Sequence, residues 1–128
     1  MKYLLDSHIL LWILEDNERL SSRLREMLSA EYVKNYVSMA TIWEIAIKAS
    51  LGKLQLDGGI SNVVKYVEGS GIDIISIEPS HVEIIEKLEF HHKDPFDRII
   101  IATAIKEKMV VVSADQYFDL YEVQLEKV

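Results

Sequence analysis

The chain has 128 residues, enough for one domain over residues 1–128 that buries roughly two-thirds of the surface exposed by the unfolded chain. Hydrophobic residues make up 49% and charged residues 27%, the balance of an ordinary globular protein, and the lack of cysteine excludes disulfide frameworks and thiolate metal sites. The net charge of −7 argues against a nonspecific DNA-coating protein, but it is compatible with a basic protein partner or with phosphates held through a divalent cation.

The first half of the chain alternates short apolar runs with helical patterns. The predicted elements are a buried strand at 2–5 (KYLL), a helix at 8–14 that is apolar on every side, a helix at 23–32, a strand at 35–38 (NYVS) and a helix at about 40–51. Ser21 or Ser22 is the expected N-cap of the second helix, and Gly52 is expected to end the third.

The second half continues the alternation after a glycine-rich loop at 52–61. It predicts helices at 61–68, 79–88 and 95–108, strands at 72–75 (IDII) and 109–112 (MVVV), and a final edge strand at 121–125 (YEVQL). Strands separated by helices pair in parallel through right-handed crossovers. The predicted fold is therefore a three-layer α/β/α sandwich with a mainly parallel central sheet.

Four acidic residues stand near the carboxyl ends of predicted strands. Asp6 follows the first strand, Asp115 comes three residues after MVVV, Asp97 lies in the first turn of the last helix, and Glu44 lies near the start of the third. Ligands of such sheets bind beyond the carboxyl ends of the strands. We therefore expect the four carboxylates to converge at one rim.

Converging carboxylates require a positive charge among them. Two unit charges 4 Å apart repel by about 4 kcal/mol at an effective dielectric constant near 20. A hard divalent cation such as Mg²⁺ or Mn²⁺ takes oxygen ligands, lowers the pKa of bound water and stabilises phosphoryl oxygens. The pattern thus indicates a metal site suited to phosphodiester hydrolysis, without deciding between one ion and two.

Simpler structural roles remain open for these acids. Glu44 and Lys48 are spaced as an i, i+4 ion pair, although the apolar neighbours of Glu44 in TIWEIAIKAS leave little exposed face. Asp6 could cap the first helix, and Asp115 could cap a turn in SADQ.

The segment DPFDR offers its own simpler interpretations. Asp94, directly before Pro95, is best interpreted as a helix N-cap. Asp97 could stabilise the positive end of the helix or pair with Arg98.

Four segments together resemble a known family. They are YLLDSHILLW, VSMATIWEIAIKASLGKLQL, HHKDPFDRIIIATAI and VVVSADQYFDLYEV, and they cover nearly the whole chain. The sequence is similar to PIN domains, and within them to the VapC-type toxins of toxin–antitoxin pairs. The resemblance implies a parallel sheet with an acidic Mg²⁺ or Mn²⁺ site formed by Asp6, Glu44, Asp97 and Asp115.

The same resemblance implies an activity and partners. These are metal-dependent endonucleolytic cleavage of RNA, a cognate antitoxin whose C-terminal segment covers the site, and a homodimer. Asp6, Glu44 and Asp97 would hold the ion and Asp115 would complete the site or bind a second ion. Cleavage would leave a 3′-hydroxyl and a 5′-phosphate.

Several further residues are candidates for accessory roles. Ser7 stands where many relatives have threonine, Ser113 occupies a small hydroxyl position near the fourth acid, and Asp94 and Arg98 flank Asp97. His91 and His92 are expected in a solvated loop, although either could contact substrate or antitoxin, and Trp12 and Trp43 are expected in the core.

Other functions fit less well. A receiver domain would need an aspartate at the tip of the third strand, where the chain reads IDIISIEPS, and a DxD phosphatase would need an aspartate at His8. The main alternative is a PIN nuclease acting in RNA processing outside a toxin–antitoxin pair, which would share the chemistry but lack an adjacent antitoxin gene. We expect a cytoplasmic protein with no membrane partner, because Asp6, Ser7 and His8 interrupt the first apolar run and no run reaches 18 residues.

Overall fold

The computed structural model describes residues 1–121 and 123–128. Its elements are β1 (Lys2–Leu5), α1 (Ser7–Glu15), α2 (Ser22–Ser29), β2 (Lys34–Ser38), α3 (Met39–Ser50), α4 (Gly59–Gly69), β3 (Asp73–Ile75), α5 (Pro79–Lys87), α6 (Pro95–Glu107), β4 (Val110–Ser113), a 3-10 helix (Gln116–Leu120) and β5 (Leu125–Lys127). Among the described residues, no helix combines the length and apolarity needed to cross a membrane.

The five strands form one sheet in the order β3-β2-β1-β4-β5. Every pairing in it is parallel, and β1 lies at the centre, with Leu5 opposite Val37 of β2 and opposite Val112 of β4. Strand order reverses between β1 and β4, the place where parallel sheets open a crevice at their carboxyl edge. The predicted sandwich is confirmed, with a sheet that is parallel throughout the described pairs.

The three layers follow from the two-residue alternation of the strands. In β1, Leu5 points into a core that includes Ile9 and Ile45, whereas Leu4 points to the opposite face, where it packs with Ile100 and Phe118. Because both faces of the sheet are covered by helices, its strands are apolar in consecutive positions rather than in alternate ones.

Helix N-caps fix the turns in which the acidic residues lie. Asp6 accepts a hydrogen bond from the amide of Ile9 at 2.9 Å and so begins α1 directly after β1. Asp94 caps α6 by accepting from the amide of Phe96 at 2.9 Å, with Pro95 in the first helical position. The capping role predicted for Asp94 is confirmed, and the one left open for Asp6 is observed as well.

The end of the chain differs from the prediction. The edge strand expected at 121–125 is observed at Leu125–Lys127, and residue 122 of the predicted strand lies outside the described residues. The alternation in YEVQL does not mark a strand that begins at residue 121. Asp115 instead caps a 3-10 helix through the amide of Tyr117, and the buried rings of Phe118 and Tyr121 anchor this segment to the core. The chain therefore enters the sheet later, with Leu125 opposite Val111.

Candidate active site

Asp6 and Asp115 approach each other because β1 and β4 are neighbours in the sheet. The hydroxyl of Ser113, the last residue of β4, donates a short hydrogen bond to Oδ2 of Asp6 and accepts one from the amide of Asp115 at 2.9 Å. Burial raises the pKa of the Asp6 carboxyl above its ordinary value, and the charge of Asp115 adds to this effect. The hydroxyl of Ser113 thus links the side chain of Asp6 to the backbone of Asp115 at the carboxyl edge of the sheet.

Asp97 is held from the other side of the crevice. Its Oδ2 lies 2.7 Å from Nε2 of His92, and the same nitrogen lies 3.9 Å from Oδ2 of Asp115. The pKa of Asp97 is raised to about 7, chiefly by burial and then by the charge of Asp94, with a smaller contribution from Glu44, while His92 opposes the shift. The surroundings of Asp97 therefore resist a negative charge.

Glu44 is buried, with only 7% of its surface exposed. Its Oε2 pairs with Nζ of Lys48 at 3.3 Å, as the i, i+4 spacing suggested, but its Oε1 is buried and finds no hydrogen-bond partner among the described residues. An unpartnered buried carboxylate oxygen costs on the order of 1–3 kcal/mol or more. A cation at this oxygen would remove that cost. The ion pair with Lys48 satisfies only Oε2, so it does not explain why the whole carboxylate of Glu44 is buried.

The described acids do not form one closed set of ligand atoms. One group of three has possible ligand atoms within 4.8 Å of one another, namely His92, Asp94 and Asp97, and no three of the four predicted acids in the described chain approach that closely. Instead Asp6 is coupled electrostatically to Asp115, and Asp97 to Glu44, with His92 between the two pairs. Carboxylate oxygens are the ligands that Mg²⁺ and Mn²⁺ prefer, so this donor set fits such an ion.

The accessory candidates differ in what they do. Ser7 is buried in the first turn of α1, next to Asp6. Arg98 is buried as well, and its guanidinium donates to the phenol oxygen of Tyr121 at 3.4 Å and to the backbone carbonyls of Ile85, Leu88, Glu89 and His92. The pairing of Asp97 with Arg98 considered above does not occur, because Asp97 bonds to His92 and Arg98 organises the loop between α5 and α6.

Two expectations about aromatic side chains are wrong. His92 is not in a solvated loop, since only 18% of its side chain is exposed and it contacts Asp97, whereas His91 is bonded to Glu89 at 2.6 Å near the surface. Trp43 is 58% exposed rather than in the core, with its ring edge-on to Phe96 at a centroid distance of 5.0 Å.

The sequence contains only weak signals for the exposure of Trp43 and for the burial of His92. Trp43 shares the exposed face of α3 with Met39, four residues earlier, and the mostly apolar neighbours of Trp43 in the sequence hide that face. His92 precedes the capping Asp94 by two residues, and only its adjacency to DPFDR pointed to the site.

Comparison with known proteins identifies a family whose model matches this chain. The family model of the PIN domain matches residues 3–123. No curated protein matches the chain in sequence.

Solved structures share the fold at low sequence identity. One chain in the crystal structure of VapBC2 from Rickettsia felis, bound to a DNA fragment from the promoter, is 17% identical, with a TM-score of 0.77 over 99% of this chain and 98% of that one. A chain of VapBC-1 from nontypeable Haemophilus influenzae is 15% identical, with a TM-score of 0.75 over 99% and 98%. A chain of DNA-bound VapBC from Salmonella typhimurium is 18% identical, with a TM-score of 0.70 over 99% and 98%. At these identities the likeness shows the fold.

Proposed function

The chain belongs to the PIN domain family, and on that premise we propose that it is a divalent-metal-dependent endoribonuclease, the toxin component of a toxin–antitoxin pair. The observation that carries the proposal is the buried Oε1 of Glu44, which has no hydrogen-bond partner among the described residues and whose carboxylate helps to raise the pKa of Asp97 to about 7. Such a site is short of positive charge, and a divalent cation supplies it.

In this proposal Asp6, Glu44 and Asp97 hold Mg²⁺ or Mn²⁺, and Asp115 completes the site or holds a second ion. The bound ion would lower the pKa of an attacking water and neutralise charge on the phosphodiester oxygens. Ser113 fixes Asp6 through its hydroxyl and ties Asp115 to the same turn. Cleavage in line would leave a 3′-hydroxyl and a 5′-phosphate.

The surroundings of the acids favour a single-stranded RNA substrate. Trp43, which is exposed, directly precedes Glu44, and its ring contacts the half-buried ring of Phe96, which directly precedes Asp97. Exposed aromatic rings stack on unpaired bases regardless of sequence. Lys48, whose side chain is 40% exposed, offers a cation for a phosphate close to Glu44.

We further propose a protein partner and a homodimer. The similar structures from Rickettsia felis and Salmonella typhimurium are VapBC assemblies bound to DNA, and another is described as a toxin–antitoxin complex from Klebsiella pneumoniae. A net charge of −7 suits an antitoxin whose inhibitory segment is basic. This segment would cover the acidic crevice and exclude RNA.

An RNA cleavage assay tests the activity. Wild type, Asp6→Asn, Glu44→Gln and the exposed control Glu83→Gln are incubated with RNA in EDTA, Mg²⁺ or Mn²⁺. We expect wild type and the control to cut only with a divalent ion, and both site variants to be inactive while folded. Full cleavage in EDTA, or by Glu44→Gln, would contradict the proposal.

The toxin role has a separate test. The product of a neighbouring small gene with a basic C-terminus is co-expressed with this chain, and we expect co-purification and inhibition of cleavage. If cleavage persists and no such partner binds, the chain is a PIN nuclease that acts in RNA processing outside a toxin–antitoxin pair.

A further inference from the structure

The side chain of His92 is constrained on three sides. Its Nε2 lies 2.7 Å from Oδ2 of Asp97, and its Nδ1 accepts from the backbone amide of Asp94 at 3.4 Å. Its ring stacks on that of Tyr117 at a centroid distance of 4.5 Å and an angle of 27°. An exposed loop histidine would not be held in this way.

These contacts fix the tautomer of the ring. A backbone amide can only donate, so Nδ1 of His92 must offer a lone pair to the amide of Asp94. The ring proton then lies on Nε2, which donates it to the carboxylate of Asp97. A metal ligand would need a lone pair on Nε2, so this arrangement makes His92 a hydrogen-bond donor rather than a ligand.

The backbone of His92 is also held by buried groups. The phenol oxygen of Tyr121 accepts from the amides of His91 at 3.1 Å and His92 at 2.9 Å. The guanidinium of Arg98 contacts the same oxygen and the carbonyl of Glu89. A buried tyrosine and a buried arginine thus position the loop that carries the imidazole.

We propose that His92 is a positioning residue, which holds Asp97 through Oδ2 and leaves the other carboxylate oxygen of Asp97 for the cation. The inference rests on the metal site of the proposed function, and it assigns a residue outside the four acids. A hydrogen bond donated to a metal-binding carboxylate orients that carboxylate, and losing such a bond typically weakens metal affinity by about 10- to 100-fold.

The test measures the dissociation constant of Mn²⁺ from the metal-free chain, using the electron paramagnetic resonance signal of free Mn²⁺. His92→Phe keeps a ring against Tyr117 but loses the donor, whereas His92→Gln restores an N–H at a similar reach. We expect His92→Phe to bind Mn²⁺ about 10-fold more weakly and His92→Gln to recover most of that loss. His91→Phe, the matched control, should bind like wild type because His91 contacts Glu89 instead.

A second measurement separates a donor from a ligand. Electron spin-echo modulation of bound Mn²⁺ should show no directly coordinated nitrogen in the wild type. A directly bound nitrogen that disappears in His92→Phe would overturn the inference, as would unchanged affinity in His92→Phe or equally weak binding by His92→Gln. Circular dichroism checks the fold, and His92→Ala replaces His92→Phe if the latter does not fold.

The outcomes also separate this inference from the proposed function. Wild type that binds Mn²⁺ but does not cut RNA would refute the nuclease while leaving the role of His92 intact. Wild type that cuts RNA while His92→Phe retains full Mn²⁺ affinity would refute only the role of His92. Wild type that binds no Mn²⁺ would refute both.

Discussion

Replacing Asp97 with asparagine should stabilise the metal-free protein at alkaline pH. The pKa of Asp97 is raised from 3.8 to about 7, chiefly by burial and then by the charge of Asp94. In the unfolded chain the carboxyl ionises near pH 3.9. The stability contributed by the protonated group is therefore fully present below about pH 4 and is lost as the pH rises to about 7.

The structure sets the size of the effect. A shift of roughly three pKa units corresponds to at most about 4 kcal/mol. The side chain of Asp97 keeps 13% of its surface exposed, and we expect solvent screening to reduce this to about 2 kcal/mol. Asparagine avoids the charge and keeps an oxygen that accepts from His92. For a domain of this size the gain amounts to roughly 8 °C in Tm above pH 8.

The assay is thermal and urea unfolding of wild type and Asp97→Asn in EDTA at pH 5 and pH 8.5. The free energy of unfolding of Asp97→Asn should exceed that of wild type by more at pH 8.5 than at pH 5. An exposed control, Asp57→Asn, should show no such dependence on pH. Added Mn²⁺ should stabilise wild type, by about 2.7 kcal/mol at 100 times its dissociation constant, and reverse the order of the two proteins. An Asp97→Asn variant that is less stable at pH 8.5, or a difference independent of pH, would refute the reasoning.

Three further substitutions test the scaffold by urea denaturation. Tyr121→Phe should cost about 1–3 kcal/mol, because two loop amides lose their acceptor. Arg98→Met should cost about 3 kcal/mol or more, because several backbone carbonyls lose one shared donor, and Arg98→Lys should recover little because an ammonium cannot span them. Ile100→Ala should cost about 2–5 kcal/mol, because it opens a cavity in the fully buried core against the sheet.

Matched surface variants control these measurements. Tyr117→Phe and Ile77→Ala alter exposed side chains, and Arg23→Met breaks an exposed pair with Glu126, so each should change stability by less than about 1 kcal/mol. If Arg98→Met is no more costly than Arg23→Met, the loop between α5 and α6 is not organised by Arg98.

The elements around the acids could be predicted from sequence because their signals are local. KYLL is a short apolar run, and Asp94 and Pro95 specify a helix start within two residues. The convergence of the acids at one edge followed from the parallel sheet, which the alternation of strands and helices predicts.

The features that escaped prediction depend on distant residues. The 3-10 helix near the end of the chain is anchored by the burial of Phe118, and no local pattern announces that burial. The contact of His92 with Asp97 requires a loop position set by Tyr121, which is 29 residues away. Trp43 is exposed because the partners of α3 cover its other face, and helical periodicity alone does not identify the covered face when apolar residues occur on both.

The hydroxyl bridge between β1 and β4 has a consequence for protein synthesis. Asp6 leaves the ribosome early, but Ser113, its partner, follows 107 positions later. The central strand β1 therefore lacks one of its two neighbours until β4 has emerged, and the crevice cannot assemble on a nascent chain that is still short of β4.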